Sequence, residues 1–216
     1  MAFKMPEVAL QRVIQHGIKN LRANRDAFDD IFAIYTCPEM EASYGQTYID
    51  KIFNWFASTK VPVLQAWSLN PDRVPSISLH LAQEAEDESK AAIGDFWGPD
   101  EEWDTNVGAF NVSVDIGIHA DKSADHVLWL YYIISYILFR EKPLAIKFGL
   151  ELHTFSASDY NKESKYLAEN VYSRWIRYRC TVLNGIPFGD FTEIDSVDVD
   201  VNFSQTDDEF DVNVVP

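Results

Sequence analysis

The sequence of 216 residues predicts an α+β fold, with a twisted, mostly antiparallel sheet and a buried helix packed on it. Three observations lead to this prediction. Apolar residues recur with the helical period near the N-terminus, later segments alternate between apolar and polar residues, and one long segment is apolar on nearly every side. The order helix, strands, helix, strands is typical of α+β domains.

The N-terminal part of the chain is predicted to be helical. Residues 7–26 carry apolar side chains at helical spacing, with Gly17 as a tolerated weak point, and a short helix over 26–34 follows. A third amphipathic helix is predicted over 47–60, where aromatic and isoleucine side chains share one stripe.

The period then changes to that of strands. Segments 61–67 and 76–82 read as strands joined by a turn-rich connection, and 107–119 is a longer strand. In the longer strand the apolar side chains fall on one face and the polar ones on the other. The polar set is Asn111, Ser113, Asp115, Gly117 and His119.

The strongly apolar segment follows this strand. Ser123 is placed to cap a helix that runs to Arg140, and Pro143 ends it. The apolar run 127–139 is shorter than the roughly 20 residues that a membrane span needs. We therefore expect no membrane contact, and a helix covered by the sheet or by a second chain.

Two more strands complete the predicted sheet, at 146–155 and 171–183, joined by a polar loop over 156–168. The predicted organisation has three parts: an N-terminal helical extension over 1–40, the α+β core domain over 41–184, and an acidic C-terminal extension over 185–216.

The net charge of −16 is concentrated in two segments. Residues 84–104 hold nine acids and one lysine, and residues 180–216 hold nine acids and no lysine or arginine. The rest of the chain is close to neutral. Because proteins bind nucleic acid by neutralising phosphates with lysine and arginine, this charge argues against nucleic-acid binding.

The sequence also bears on the compartment. The N-terminus lacks the apolar stretch and cleavage site of a secretory signal, so we expect synthesis in the cytoplasm. Cys37 and Cys180 lie far apart without a metal-binding spacing. Two such cysteines are more often buried thiols than a disulfide in a reducing compartment, and the disulfide is the less favoured alternative.

One weak match to a calcium loop lies in the acidic extension. Asp198, Asp200, Asn202 and Glu209 stand at positions 1, 3, 5 and 12 of an EF-hand loop. Phe203 occupies the position where the loop needs glycine for its sharp turn. The favoured interpretation is a solvated strand with alternating aspartates, and calcium binding is the minor alternative.

No other constellation points to chemistry. His80, His119 and His153 lie on predicted strands and could be neighbours, but polar strand positions normally face water rather than a metal. The sequence contains no nucleophile elbow, zinc-protease motif or phosphate-binding loop. We expect no enzyme activity, no cofactor and no metal.

The last predicted strand carries a basic, aromatic face. Trp175, Arg177 and Arg179 share the predicted exposed face, and Arg174 lies among the residues opposite. Tryptophan and arginine are enriched at binding hot spots, which predicts an interface at these four residues. The alternative is that the arginines pair with acids of their own domain. An arginine face meeting the acidic segment of the next subunit gives a head-to-tail contact, and such contacts close into rings.

The stretch 44–183 resembles the phage tail-terminator proteins of contractile-tailed phages. The resemblance lies in the order of elements and covers about 140 residues. Its carriers are the helix at 44–60, the strand pair at 61–82, the series NVSVDIGIHA, SADHVLWLYYIISYILFREK and AIKFGLELHTF, and the strand VYSRWIRYRCTV.

The resemblance implies a virion structural protein that forms a hexameric ring on top of the tail. Such a ring ends polymerisation of the tube and sheath and joins the tail to the neck. Its partners would be its own copies and the tube, sheath and neck proteins, with DNA only as passing cargo. The alternatives are another neck or connector component, or a small soluble binding module outside a virion, in which calcium would have a role.

Overall fold

The structure is a computed structural model, in which helices lie against one face of a five-stranded sheet. It describes residues 5–32, 46–65, 74–86, 105–121, 123–158 and 171–187. The helices are α1 (Pro6–Ala23), α2 (Arg25–Phe32), α3 (Gln46–Ser58), α4 (Ala124–Arg140) and α5 (Lys142–Lys147). The strands are β1 (Val63–Gln65), β2 (Ser76–Glu86), β3 (Thr105–Ala120), β4 (Leu150–Ser158) and β5 (Tyr172–Pro187).

The sheet has the strand order β1-β2-β3-β5-β4. Only the short β1 pairs parallel to its neighbour, and the other three pairings are antiparallel. The two long strands β3 and β5 pair along their whole length and form the centre. The predicted α+β class with a mostly antiparallel sheet is confirmed.

The core lies between this sheet and the helices. Val114, Ile116 and Ile118 of β3 are buried in it, together with Ile176 of β5, because alternate residues of a strand face one side. The predicted burial of the apolar helix is confirmed, since α4 packs against the sheet and against α1. Helices α1 and α2, predicted as an extension, contribute side chains to the same core.

Helices α1 and α4 touch at Gly17. A Cβ atom added to Gly17 would lie 2.4 Å from Cγ2 of Ile137, so the missing side chain sets how closely the two helices approach. Glycine in the middle of a helix costs about 1 kcal/mol relative to alanine. The close approach of the two helices explains why glycine, and not alanine, occupies this position.

The start of α4 is confirmed, but the structure after its end differs from the prediction. The Ser123 hydroxyl accepts a hydrogen bond from the Asp125 backbone amide, as predicted for the cap. Pro143 does not lead into a strand. It lies in the first turn of α5, where the missing amide hydrogen costs nothing, and Ile146 is therefore helical.

The edge strand is also longer than predicted at its far end. Gly149 turns the chain with a positive φ of 81°, and β4 begins at Leu150. It continues through residues 156–158, which were predicted to start a polar loop. In the part of the chain that the structure describes, no helix combines the length and apolar character needed to cross a membrane.

We predict that Gly17→Ala lowers the free energy of unfolding by about 1–2 kcal/mol. Overpacking costs about 1–3 kcal/mol, which outweighs the gain in helix propensity of about 1 kcal/mol. Denaturant unfolding would measure the change. In an Ile137→Ala background the same substitution should cost less, and an equal cost would contradict the contact between the two helices.

Candidate functional site

The sheet face turned away from the core, called the polar face below, is partly buried in spite of its chemistry. Ser78 and His119 are each 2% exposed, Asp115 is 6% exposed and Trp175 is 6% exposed. Burial of a polar group is costly unless the group is hydrogen-bonded or paired with a charge, and Ser78, Asp115 and His119 have such partners. The face is formed by Ser76, Ser78, His80, Asn111, Ser113, Asp115, His119, Ser173, Trp175, Arg177, Arg179 and Thr181.

A histidine links three strands across this face. His119 of β3 is hydrogen-bonded through Nε2 to Ser78 Oγ of β2 at 2.8 Å, and through Nδ1 to Ser173 Oγ of β5 at 2.9 Å. A neutral imidazole donates from one ring nitrogen and accepts at the other, so both hydroxyls suit it. Burial, with a smaller contribution from His80, lowers the pKa of His119 to about 4.

The contact between serine and histidine does not have the accessibility that nucleophilic catalysis needs. A nucleophile must reach its substrate, whereas Ser78 is buried. The second partner of His119 is another hydroxyl, Ser173, and not a carboxylate that would stabilise a charged imidazole. The geometry suits a cross-strand link.

Gly117 makes room for this link. It lies in β3 opposite both Ser78 and Trp175. An added Cβ would lie 2.6 Å from Ser78 Oγ and 2.6 Å from His119 Nε2. Any side chain at position 117 would break the hydrogen bond between Ser78 and His119.

The three histidines weighed as metal ligands do not converge. His80 and His119 both contact the Trp175 ring on the polar face, with ring centroids 5.6 and 5.5 Å away. His153 instead stacks on Tyr178, whose side chain belongs to the core face. Among the described residues no group of three potential ligands is close enough to hold a metal ion.

We predict that stability falls as the pH is lowered from about 6.5 to about 4, because the unfolded state then takes up the proton that folded His119 resists. The pKa difference corresponds to a loss of about 3 kcal/mol below that range. Denaturant unfolding as a function of pH would measure it. His119→Gln should flatten this part of the profile, and an unchanged slope would contradict the assignment.

Arg177 forms an ion pair within its own domain. Its Nε donates to Asp115 Oδ1 at 2.7 Å and its Nη2 donates to Oδ2 at 3.0 Å, a bidentate pair between adjacent strands. Hydrogen bonding to Asp115 raises the pKa of Arg177. The alternative interpretation from the sequence, an arginine paired inside its domain, therefore describes Arg177.

The other three residues of the predicted interface separate in the structure. Trp175, predicted on the exposed face, is buried instead, because its ring packs beside His80 and His119. Arg174 lies over the Tyr131 ring of α4, with 4.8 Å from its Cζ to the ring centroid. Arg179 is exposed and makes no ion pair with the described residues. Only Arg179 keeps the exposed position expected of an interface cation.

We predict that Arg177→Ala lowers the free energy of unfolding by about 2 kcal/mol, because it leaves the buried Asp115 carboxylate without its bidentate partner. Arg179→Ala is the matched control and should change it by less than about 0.5 kcal/mol. Denaturant unfolding of both variants would test this, and equal effects would contradict the distinction. Adding Asp115→Ala to Arg177→Ala should cost less than the sum of the single changes.

Two shallow depressions border Arg179 on the polar face. One has a volume of about 280 Å³ and is lined by Asp115, Ser156, Ala157, Ser158, Trp175, Arg177 and Arg179. The other has about 200 Å³ and is lined by Gln83, Asn111, Val112, Ser113, Leu152, Arg179, Cys180 and Thr181. Both border strand β4, at the side of the sheet where Arg179 is exposed.

Strand β4 forms an open edge of the sheet. Among the described residues it pairs only with β5, and most of its side chains are exposed. A bulge between Glu151 and Thr154 interrupts the pairing, and there Leu152 adopts a positive φ of 48° while 72% exposed. A bulky residue rarely takes this conformation. Strain and an exposed apolar side chain together mark this edge as a candidate contact surface.

The core side of the same edge is apolar. Phe139 at the end of α4 is 59% exposed and contacts Phe155 of β4, with ring centroids 4.7 Å apart. Lys142 lies beside them, with Nζ 5.1 Å from the centre of the Phe139 ring. The edge therefore offers an aromatic surface on one face and Arg179 on the other.

The opposite edge carries acidic residues. Among the described residues, strand β1 pairs with β2 only from Ile77 to Leu79, which leaves Leu81 to Glu86 as an uncovered half in that part of the chain, and all of these residues are exposed. Glu84 and Glu86 lie in this uncovered half. The two open edges of the sheet thus differ in charge.

Several predicted features fall outside the described residues. They are the calcium-loop match at Asp198, Asp200, Asn202 and Glu209, as well as Cys37 and most of the acidic segment 84–104. Cys180 is described, and its thiol is free and buried, where burial raises its pKa to about 12. Sequence reasoning missed the two open edges, because an edge is defined by strand order.

Comparison with models of known protein families finds no match, and comparison with curated protein sequences finds none either.

Proposed function

We propose that the chain is a structural subunit that assembles with its own copies into a ring at the top of a phage tail. The ring ends polymerisation of the tube and sheath and joins the tail to the neck. The observation that carries this proposal is the presence of two sheet edges, of unlike chemistry, that no other described strand covers completely.

Unlike edges favour a head-to-tail contact. On the core side of the sheet, the free half of β2 presents Glu84 and Glu86, whereas the β4 edge presents Lys142 beside an aromatic surface. Arg179 is exposed on the other face of the β4 edge. Like edges would repel or leave charges unpaired, while β2 of one subunit complements β4 of the next. A contact between two different surfaces repeats around an axis and closes into a ring when the rotation permits.

Pairing of backbone groups adds to this complementarity. Open edges offer unpaired amide and carbonyl groups, which form hydrogen bonds with a second edge strand. Leu152 and Phe139 supply exposed apolar area next to the pairing groups. In this arrangement the sheets of neighbouring subunits continue into one another.

The placement in a phage tail rests on the resemblance of stretch 44–183 to tail terminators. The observed fold, with a helix on a mostly antiparallel sheet, supports that placement. The proposed ring is hexameric, and its partners are the tail tube, sheath and neck proteins. The net charge of −16 suits a ring through which DNA passes as cargo, because like charges repel and prevent sticking.

We predict that Lys142→Glu weakens assembly at least about tenfold, since it places a carboxylate on the same side of the joined sheets as Glu84 and Glu86 of the next subunit. Light scattering over a range of concentrations would follow the mass. Lys19→Glu is the matched control, because it makes the same change at an exposed position of α1. The control should leave assembly unchanged.

A charge swap tests whether the two edges meet. Glu84→Lys combined with Glu86→Lys should also weaken assembly, and adding Lys142→Glu should restore it. A strict monomer at every concentration, with and without a tail tube, would overturn the ring. If the unmodified chain assembles but the charge swap does not restore assembly, the ring would stand and the contact between β2 and β4 would be overturned.

A further inference from the structure

We propose that the two depressions beside Arg179 on the polar face form one binding site for a phosphate monoester with a polar organic part. The phosphate group lies between Arg177 and Arg179 in the larger depression, and the organic part extends into the smaller one. Both guanidiniums belong to a single chain, so the site does not rest on the proposed ring.

Asp115 holds the Arg177 guanidinium in a fixed position without using all of its donors. The pair uses Nε and Nη2 of the arginine, which leaves both hydrogens of Nη1 for another acceptor. The Arg177 side chain is 39% exposed, against 8% for Asp115, so the arginine is the accessible partner of the pair. A guanidinium that is already oriented loses little conformational entropy when it binds an anion.

Arg179 adds a second guanidinium on the same face. It stands two residues further along β5, about 7 Å along the strand, and side chains at this spacing point to the same side. Its side chain is exposed, lines both depressions and makes no ion pair with the described residues. Two neighbouring guanidiniums can each donate to two oxygens of one phosphate group.

The charges that line the larger depression favour an anion. Arg177 and Arg179 contribute two positive charges and Asp115 one negative charge, so one positive charge is left over among its described lining residues. The one acid of β4, Glu151, stands opposite Thr181 and lines neither depression. A phosphate monoester carries roughly −1.5 to −2 charges at pH 7 and therefore offsets this excess.

Hydroxyl groups of β4 complete the phosphate half of the site. Ser156 stands directly opposite Arg177 and Ser158 opposite Trp175, so both serines lie on the polar face. Both are exposed and line the larger depression. A hydroxyl can donate to a phosphate oxygen, and a phosphate group has more acceptor oxygens than a carboxylate. Two guanidiniums and two hydroxyls therefore favour phosphate over carboxylate.

The smaller depression continues from Arg179 with neutral polar side chains. Gln83 and Asn111 are exposed there. Thr181 Oγ1 donates to Asn111 Oδ1 at 3.3 Å, which leaves the Asn111 amide nitrogen as a donor. Amide groups both donate and accept hydrogen bonds, as the hydroxyls of a polyol or a sugar do.

The size of the two depressions limits the ligand. Sites for drug-sized molecules measure about 300–1,000 Å³. Depressions of about 280 and 200 Å³ that share Arg179 suit a smaller ligand, with the phosphate in one and a few hydroxyl groups in the other. The ligand class is therefore a small phosphorylated polyol or sugar.

The site is tested by NMR of the arginine Nε–H groups, measured on the full chain at constant ionic strength. Glycerol 3-phosphate should shift the signals of Arg177 and Arg179 until they saturate, with a Kd on the order of 1 mM or lower. Arg12 on α1 is the internal control, because it is exposed and lies outside the site. Shifts that do not saturate, or that Arg12 shows equally, would overturn the proposal.

Substitutions separate the two halves of the site. Arg179→Gln should weaken binding of inorganic phosphate and of glycerol 3-phosphate at least about tenfold, whereas Arg12→Gln should leave both unchanged. Gln83→Ala combined with Asn111→Ala should weaken glycerol 3-phosphate about threefold and leave inorganic phosphate unaffected. Denaturant unfolding checks that each variant stays folded. A folded Arg179→Gln variant with unchanged affinity would overturn the phosphate half, and an unchanged affinity of the double variant would overturn the organic half.

Comparison of ligands identifies the chemistry. Acetate should bind at least about tenfold more weakly than inorganic phosphate, and equal binding would overturn the choice of phosphate over carboxylate. Glycerol 3-phosphate should bind about threefold more tightly than inorganic phosphate, and equal binding would overturn the choice of an ester. A DNA duplex that shifts Arg177 and Arg179 more strongly at equal phosphate concentration would assign the site to a nucleic-acid backbone and overturn the monoester.

Discussion

The full-length antiparallel pairing of β3 with β5 is the constraint on which the rest of the molecule depends. Sixteen residues of each strand are matched one to one, from Thr105 with Pro187 to Ala120 with Tyr172. This register decides which side chains enter the core and which face away, since a shift by one residue would exchange the two faces. It places Asp115 opposite Arg177 and His119 opposite Ser173. The pairing of β3 with β5 therefore determines both the core and the polar face.

Much of the fold could be predicted from local pattern. The alternation in β3 and the apolar stretch in α4 are strong signals, because burial on one face or on nearly all faces leaves a clear period. The prediction was wrong where a single residue permits two structures. Pro143 ends one helix and begins the next, and proline suits both positions. The strand predicted from 146 therefore starts at Leu150.

The candidate site was harder to predict from the sequence, because the environment of each arginine depends on the residues of a neighbouring strand. Arg177 and Arg179 are two residues apart on the same face, yet one holds a buried carboxylate and the other faces solvent. The difference comes from β3, which places Asp115 beside one and Ser113 beside the other. Pairing strands by complementary charge would have suggested the first contact, but strand order had to be known.

The bulge at Leu152 affects how readily the protein aggregates at high concentration. A long, flat edge strand is a template on which further chains can stack without limit, as in amyloid. The bulge breaks the spacing of backbone groups on β4 and bends the strand, so a flat partner matches only part of it. An edge with such a bulge disfavours the repeated addition of further strands, while the short regular stretch of β4 can still pair with a single strand.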